Sequence, residues 1–183
     1  MKKLVTLTLS AFILLGCSPI DELKTFVDST QVCESLDATT ITNLVGEPYE
    51  TTPMEDLDFR TGGCAFMNTQ DDPLFARNFN IIARKTETAA VSADEFNRAV
   101  AFWENNQLAN KEFRDLTGLG TEAFWVYGET TSQIIAYEDD TFAIISFAHL
   151  EDSNDELLAK AVNITKTVLQ KVAENAAALT EEE

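Results

Sequence analysis

Histidine is nearly missing from this chain of 183 residues, which has one, His149. Serine–histidine and cysteine–histidine nucleophilic chemistry and multi-histidine metal sites therefore have almost nothing to stand on. His149 closes the stretch Phe147-Ala148-His149-Leu150, a strand-end position that suits a surface residue. Basic residues are scarce too, 13 against 31 acids, for a net charge of −18. That balance denies the chain the basic patches that nucleic acid and anionic lipid headgroups require. It leaves a solvated acidic surface, a cationic partner or a metal cation. The N-terminal apolar run Leu4–Leu15 has twelve residues, short of the roughly 20 needed to span a bilayer. Gly118-x-Gly120 lacks the third glycine and the following helix of a dinucleotide loop, so it reads as a turn.

The N-terminus carries an address. Lys2 and Lys3 precede the apolar run, the charge and length pattern of a secretory signal. The segment Leu14-Leu15-Gly16-Cys17 resembles the lipobox of bacterial lipoproteins. That resemblance implies cleavage after the small Gly16 and lipidation of Cys17, with palmitate among the acyl chains. Two or more chains anchor a protein stably, where one holds it only marginally. An ordinary cleaved signal with an incidental cysteine is the alternative. Ser18 is not acidic, which in the lipoprotein pattern implies sorting to the outer membrane, facing the periplasm. The expected organisation is a signal peptide over 1–16, a lipidated N-terminus and tether over 17–31, one domain over 32–175 and an acidic tail over 176–183.

Removing residues 1–16 leaves 167 residues, enough for one domain with a proper core. The removed segment holds two basic residues and no acids, so the remainder has a net charge of −20. With Cys17 lipidated, Cys33 and Cys64 are an even pair in an oxidising compartment, and a disulfide is expected. Closing a loop of about 32 residues stabilises by about 3.7 kcal/mol in the chain-entropy model, before strain. The alternative, a metal or redox pair, makes a poor zinc site with no histidine nearby.

Cys33–Val45 reads as a first helix with stop signals at Gly46 and Pro48, and Glu47–Asp58 as a loop. Thr61–Asn68 and Ala76–Lys85 read as paired strands around the turn Gln70-Asp71-Asp72-Pro73. Cys64 and Phe66 share a face of the first, which places the disulfide between helix and sheet. Ser92-Ala93-Asp94-Glu95 is a capping box, and Phe96, Ala99, Val100 and Trp103 after it form a core-facing stripe. Ala123–Tyr127, Ser132–Tyr137 and Phe142–Ala148 read as strands joined at hairpin lengths. Ser153-Asn154-Asp155-Glu156 opens a long helix through Val172, with a frayed acidic tail from Ala176. The fold expected is α+β, a two-layer sandwich of about five antiparallel strands and about three helices with one disulfide.

The order of Cys33-Glu34-Ser35-Leu36, Gly46, Cys64-Ala65-Phe66, Gly118-Leu119-Gly120-Thr121-Glu122-Ala123-Phe124-Trp125 and the closing helix resembles a group of actinobacterial envelope lipoproteins of unknown function. These are similar in turn to the extracellular sensor domain of a mycobacterial serine/threonine kinase. The resemblance spans about residues 31–175. It implies a disulfide between the two cysteines, a glycine turn leading into a central strand, and a groove for an unknown ligand. It supplies no catalytic residues.

Asp152, Asn154 and Glu156 alternate as in a calcium loop, but the required glycine and distal glutamate are absent. Acids at a helix start already have a reason in the helix dipole. Paired carboxylates for glycoside hydrolysis are not singled out, since no aromatic-flanked pair stands among the 31 acids. The chain reads as no enzyme, with no cofactor and no metal site. It reads instead as a lipid-anchored envelope binding or sensor-type module for a small ligand or an envelope protein, acting through loops such as Glu47–Asp58 and Gly118–Glu122. The alternative is an acidic inhibitor or capture protein for a cationic target such as a lysozyme-like enzyme or an antimicrobial peptide.

Overall fold

Apolar and polar side chains alternate along Phe79–Lys85, the pattern of a strand with two different faces, while Glu122–Tyr127, Thr131–Glu138 and Thr141–Ala148 are apolar runs buried on both sides; all four belong to a single sheet. A computed structural model describes residues 29–55, 57, 61–69, 78–106, 111–128, 130–148 and 153–181. The leader, Cys17, the Gln70–Pro73 turn, His149 and Asp152 lie outside the described residues. The elements are α1 (Ser29–Ser35), α2 (Ala38–Val45), β1 (Tyr49–Pro53), β2 (Thr61–Asn68), β3 (Phe79–Lys85), α3 (Ala89–Asn105), β4 (Glu112–Leu116), β5 (Glu122–Tyr127), β6 (Thr131–Glu138), β7 (Thr141–Ala148) and α4 (Asn154–Glu181). All strand pairs are antiparallel, in the order β1-β2-β3-β7-β6-β5-β4.

The sheet therefore has seven strands rather than about five, and four helices rather than about three flank it. The helices also lie on both faces, not in one layer. Cys64, Phe66, Ile81, Ala83, Ile145, Ile134 and Trp125 point to one face, where α1, α2 and α4 bury them. Along the row Phe66, Phe79 and Phe147, strands β2, β3 and β7 are in register and the rings stack 4.4 and 5.5 Å apart. On the opposite face Phe124, Val126, Ile135, Tyr137 and Phe142 meet Phe96, Ala99, Val100 and Trp103, the expected stripe of α3.

The expected first helix is broken in two by Asp37. Its carboxylate accepts the Thr40 N–H at 2.7 Å as the N-cap of α2, which ends at the left-handed Gly46 as the sequence signals. α1 begins at Ser29, inside the segment read as tether, and the Ser29 hydroxyl accepts the Gly63 N–H at 3.1 Å. Cys33 and Cys64 form the disulfide that staples α1 to β2, with Cα atoms 5.2 Å apart. α3 starts at Ala89, with Thr88 as its N-cap, four residues before the expected cap Ser92. Ser92 is instead buried, 2.8 Å from the Thr86 hydroxyl, and Glu95 pairs with Arg84 at 2.8 Å. Ser153 does cap α4, its hydroxyl accepting the Glu156 N–H. α4 continues as helix through Glu181, across the segment read as a frayed tail.

Candidate ligand cleft

Strands β3, β6 and β7 reach one end of the sheet together, and the register there sets three polar side chains in a row. Lys85, the last residue of β3, stands opposite Thr141, the first of β7, and Thr141 stands opposite Glu138, the last of β6. Each lies an even number of residues from Ala83, Ala143 and Ala136, so all three face the α4 side. The two-residue turn Asp139-Asp140 joins β6 to β7, with Asp139 at φ 50°. A non-glycine residue in that region is uncommon, though aspartate tolerates it better than most.

The helical stripe Lys166, Leu169, Gln170, Ala173 and Glu174 of α4 forms the facing wall, spaced as one side of a helix. Gly118, Leu119 and Gly120 close the third side. Both glycines have positive φ, 76° and 61°, and Leu119 is buried between them. Together these walls enclose a cleft of ≈ 680 Å³, within the range of about 300–1,000 Å³ usual for small-molecule sites.

Some of its charges are already satisfied. Lys85 Nζ is ion-paired with Asp140 Oδ1, while the backbone of Asp140 accepts the Thr86 N–H at 2.7 Å. The carboxylate of Glu174 accepts from Gln170 Nε2 at 2.7 Å and from Lys171 Nζ at 3.1 Å. These two contacts hold its carboxyl below the usual carboxylate range, the Gln170 hydrogen bond most of all. Among the described residues Lys166, Glu138 and Asp139 make no ion pair. Thr141 is 1% exposed, and among the described residues its hydroxyl makes no hydrogen bond. The one sealed side-chain atom without a hydrogen-bond partner among the described residues is Asn78 Oδ1, so the Thr141 hydroxyl on the cleft floor keeps contact with solvent.

Of the loops singled out from sequence, Gly118–Glu122 contributes to the cleft. The described part of Glu47–Asp58 is not a loop but the edge strand β1, followed by Met54 and Leu57 packed over Gly63. Trp103 is partly buried against the core and donates its indole N–H to Gln133 Oε1 at 3.0 Å. Lys111 Nζ lies 3.6 Å above its ring, and desolvation there pushes the ammonium pKa down. Lys85, Glu138, Thr141 and Lys166 were not singled out. The Glu138–Thr141 hairpin was legible, but its meeting with β3 and α4 is a long-range contact with no local signal. Among the described residues no group of three or more histidine, cysteine or acidic side chains is placed to hold a metal ion, and no helix is long and apolar enough to cross a membrane.

Fold and cleft together define an α+β domain, one antiparallel sheet between helices, with an open polar site at one end of the sheet. No family model matches the chain, and no curated protein matches it. Among solved structures it is similar to the crystal structure of the extracellular domain of PknH from Mycobacterium tuberculosis. The two share 11% identity with a TM-score of 0.53, over 81% of this chain and 97% of that one. At this identity the likeness is one of fold.

Proposed function

We propose that the chain is a non-catalytic binding module of the cell envelope, tethered through lipid on Cys17 and engaging its ligand in the cleft between the β6–β7 turn and α4. The observation that carries this reading is the fold, shared over most of its length with a domain described as extracellular. The Cys33–Cys64 disulfide supports it, since such bonds persist in oxidising compartments. So does the lipobox-like Leu14–Cys17 segment. With Ser18 after the cysteine, the location proposed is the outer membrane, facing the periplasm.

The test is photo-crosslinking in cells from a probe at position 166, followed by mass spectrometry. One defined partner or ligand, recovered at low and physiological salt, is the expected result. Failure to recover anything from position 166, with the protein present at normal abundance, would remove the reading. A Cys17→Ala variant is expected to lose membrane association and palmitate labelling.

A second reading, capture of a cationic protein, draws on the unpaired Glu138 and Asp139 and the net charge of −20 after the leader. Charge steering makes such association fall steeply with salt. Crosslinks to basic proteins at low salt alone would favour it.

A further inference from the structure

We infer that the cleft takes a short peptide in its zwitterionic form, the ammonium on Glu138 and Asp139 and the carboxylate on Lys166. The inference rests on the reading of the chain as a binding module and names the ligand of its site. Three observations lead to it.

The first is the sign of the charges left open. Lys85 is neutralised by Asp140 and Glu174 by Lys171, with a hydrogen bond from Gln170 besides. What remains is acidic on the hairpin side and basic on the helix side. A purely anionic ligand meets Glu138 and Asp139, and a purely cationic one meets Lys166. A ligand with opposite charges at its two ends satisfies both walls.

The second is Thr141. Its hydroxyl makes no hydrogen bond among the described residues and lies between Lys85 and Glu138 in the row across the floor. A hydroxyl both donates and accepts, and a peptide group offers a carbonyl and an N–H. The floor thus provides for a polar group between two charged ends, which a peptide has and a single amino acid lacks.

The third is the wall chemistry. Leu119 and Leu169 border the cleft but are only 3% and 2% exposed, so the wall offers little apolar surface and suits ligands with small side chains. The volume of ≈ 680 Å³ suits two or three small residues better than one.

Calorimetry on the full lipidated chain in detergent tests this, with a panel of di- and tripeptides of glycine, alanine and leucine and their capped forms. Uncapped peptides are expected to bind, and N-acetylation or C-terminal amidation to weaken binding at least tenfold. In Lys166→Gln the penalty for amidation should vanish. In the double variant Glu138→Gln, Asp139→Asn the penalty for acetylation should vanish. Thr141→Val should weaken every peptide several-fold without lowering the melting temperature, which separates a ligand contact from a folding role. Equal binding of doubly capped peptides, or no binding across the panel, would overturn the inference. If the panel fails while crosslinking from position 166 still recovers a partner, the peptide assignment falls and the module reading stands. If both fail, both fall.

Discussion

A Cβ added to Gly120 would stand 2.5 Å from the carbonyl oxygen of Tyr137 and 3.2 Å from Leu169 Cδ1. The same oxygen accepts the N–H of Thr121 at 2.8 Å, so the chain after the glycine turn is pinned to the end of β6. Gly118, two residues earlier, also has positive φ but has nothing within 4 Å of such a Cβ. The two glycines thus separate backbone conformation from steric crowding. Gly118→Ala should cost about 1–2 kcal/mol, the penalty of left-handed backbone alone. Gly120→Ala should cost clearly more, because a carbonyl cannot move aside as a flexible side chain can. Chemical denaturation of the two variants checks the order, and equal losses would contradict it.

The indole N–H of Trp125, a fully buried side chain, donates to Asn154 Oδ1 at 2.8 Å, and Asn154 Nδ2 donates to Glu112 Oε2. Asn154→Ala leaves that indole without a partner, which should destabilise by about 1–3 kcal/mol. Asn154→Ala also lies at the far end of α4 from the cleft stripe, so peptide affinity should not change. Urea unfolding and calorimetry on the same variant read both quantities.

Cys64 is fully buried and Cys33 nearly so. A Cys33→Ala, Cys64→Ala double variant should lose about 2–5 kcal/mol, the usual range for a native disulfide in a small domain. Thermal unfolding with and without reductant tests this. The wild-type chain should approach the variant only once the bond is reduced.

Burial pushes the Tyr137 hydroxyl above the ordinary tyrosine range, and the bond to Glu122 Oε1 at 3.0 Å adds to the shift. A group that binds its proton more tightly when folded supports the folded state below its unfolded pKa and loses that support as pH rises. Stability should therefore decline above about pH 10, and Tyr137→Phe should flatten that alkaline limb. Phenolate absorbance gives an independent check, since a late-ionising component should disappear in Tyr137→Phe.

The parts of the fold legible in the sequence are the short apolar runs set off by polar or glycine turns. That contrast bounds β2 to the residue and β5, β6 and β7 to within one. β1 and β4 have no such contrast. Tyr49-Glu50-Thr51-Thr52-Pro53 and Glu112-Phe113-Arg114-Asp115-Leu116 sit at the sheet's edges, where polar side chains on both faces are tolerated. The Ser92 capping box misled for a different reason. A serine with glutamate three residues on reads as a helix start, but tertiary burial against Thr86 took Ser92 and Arg84 took Glu95. Helices on both faces were also hidden, since two amphipathic stripes in sequence do not say which side of a sheet each will cover. In the cleft only the glycine turn was visible beforehand. Lys85 and Lys166 come to line one cleft through register and helix docking, and nothing near either residue announces it.

The staple from α1 to β2 also sets how the domain bears tension. A pull on the N-terminal side of Ser29 passes only as far as Cys33 before a covalent bond carries it into Cys64. There β2 is held along both edges, by β1 and by β3. The load is then shared by the backbone hydrogen bonds of β2 to both neighbours, instead of first peeling α1 and α2 away one turn at a time. Reduction would move the point of attachment to the end of α1 and turn the same pull into an unzipping force.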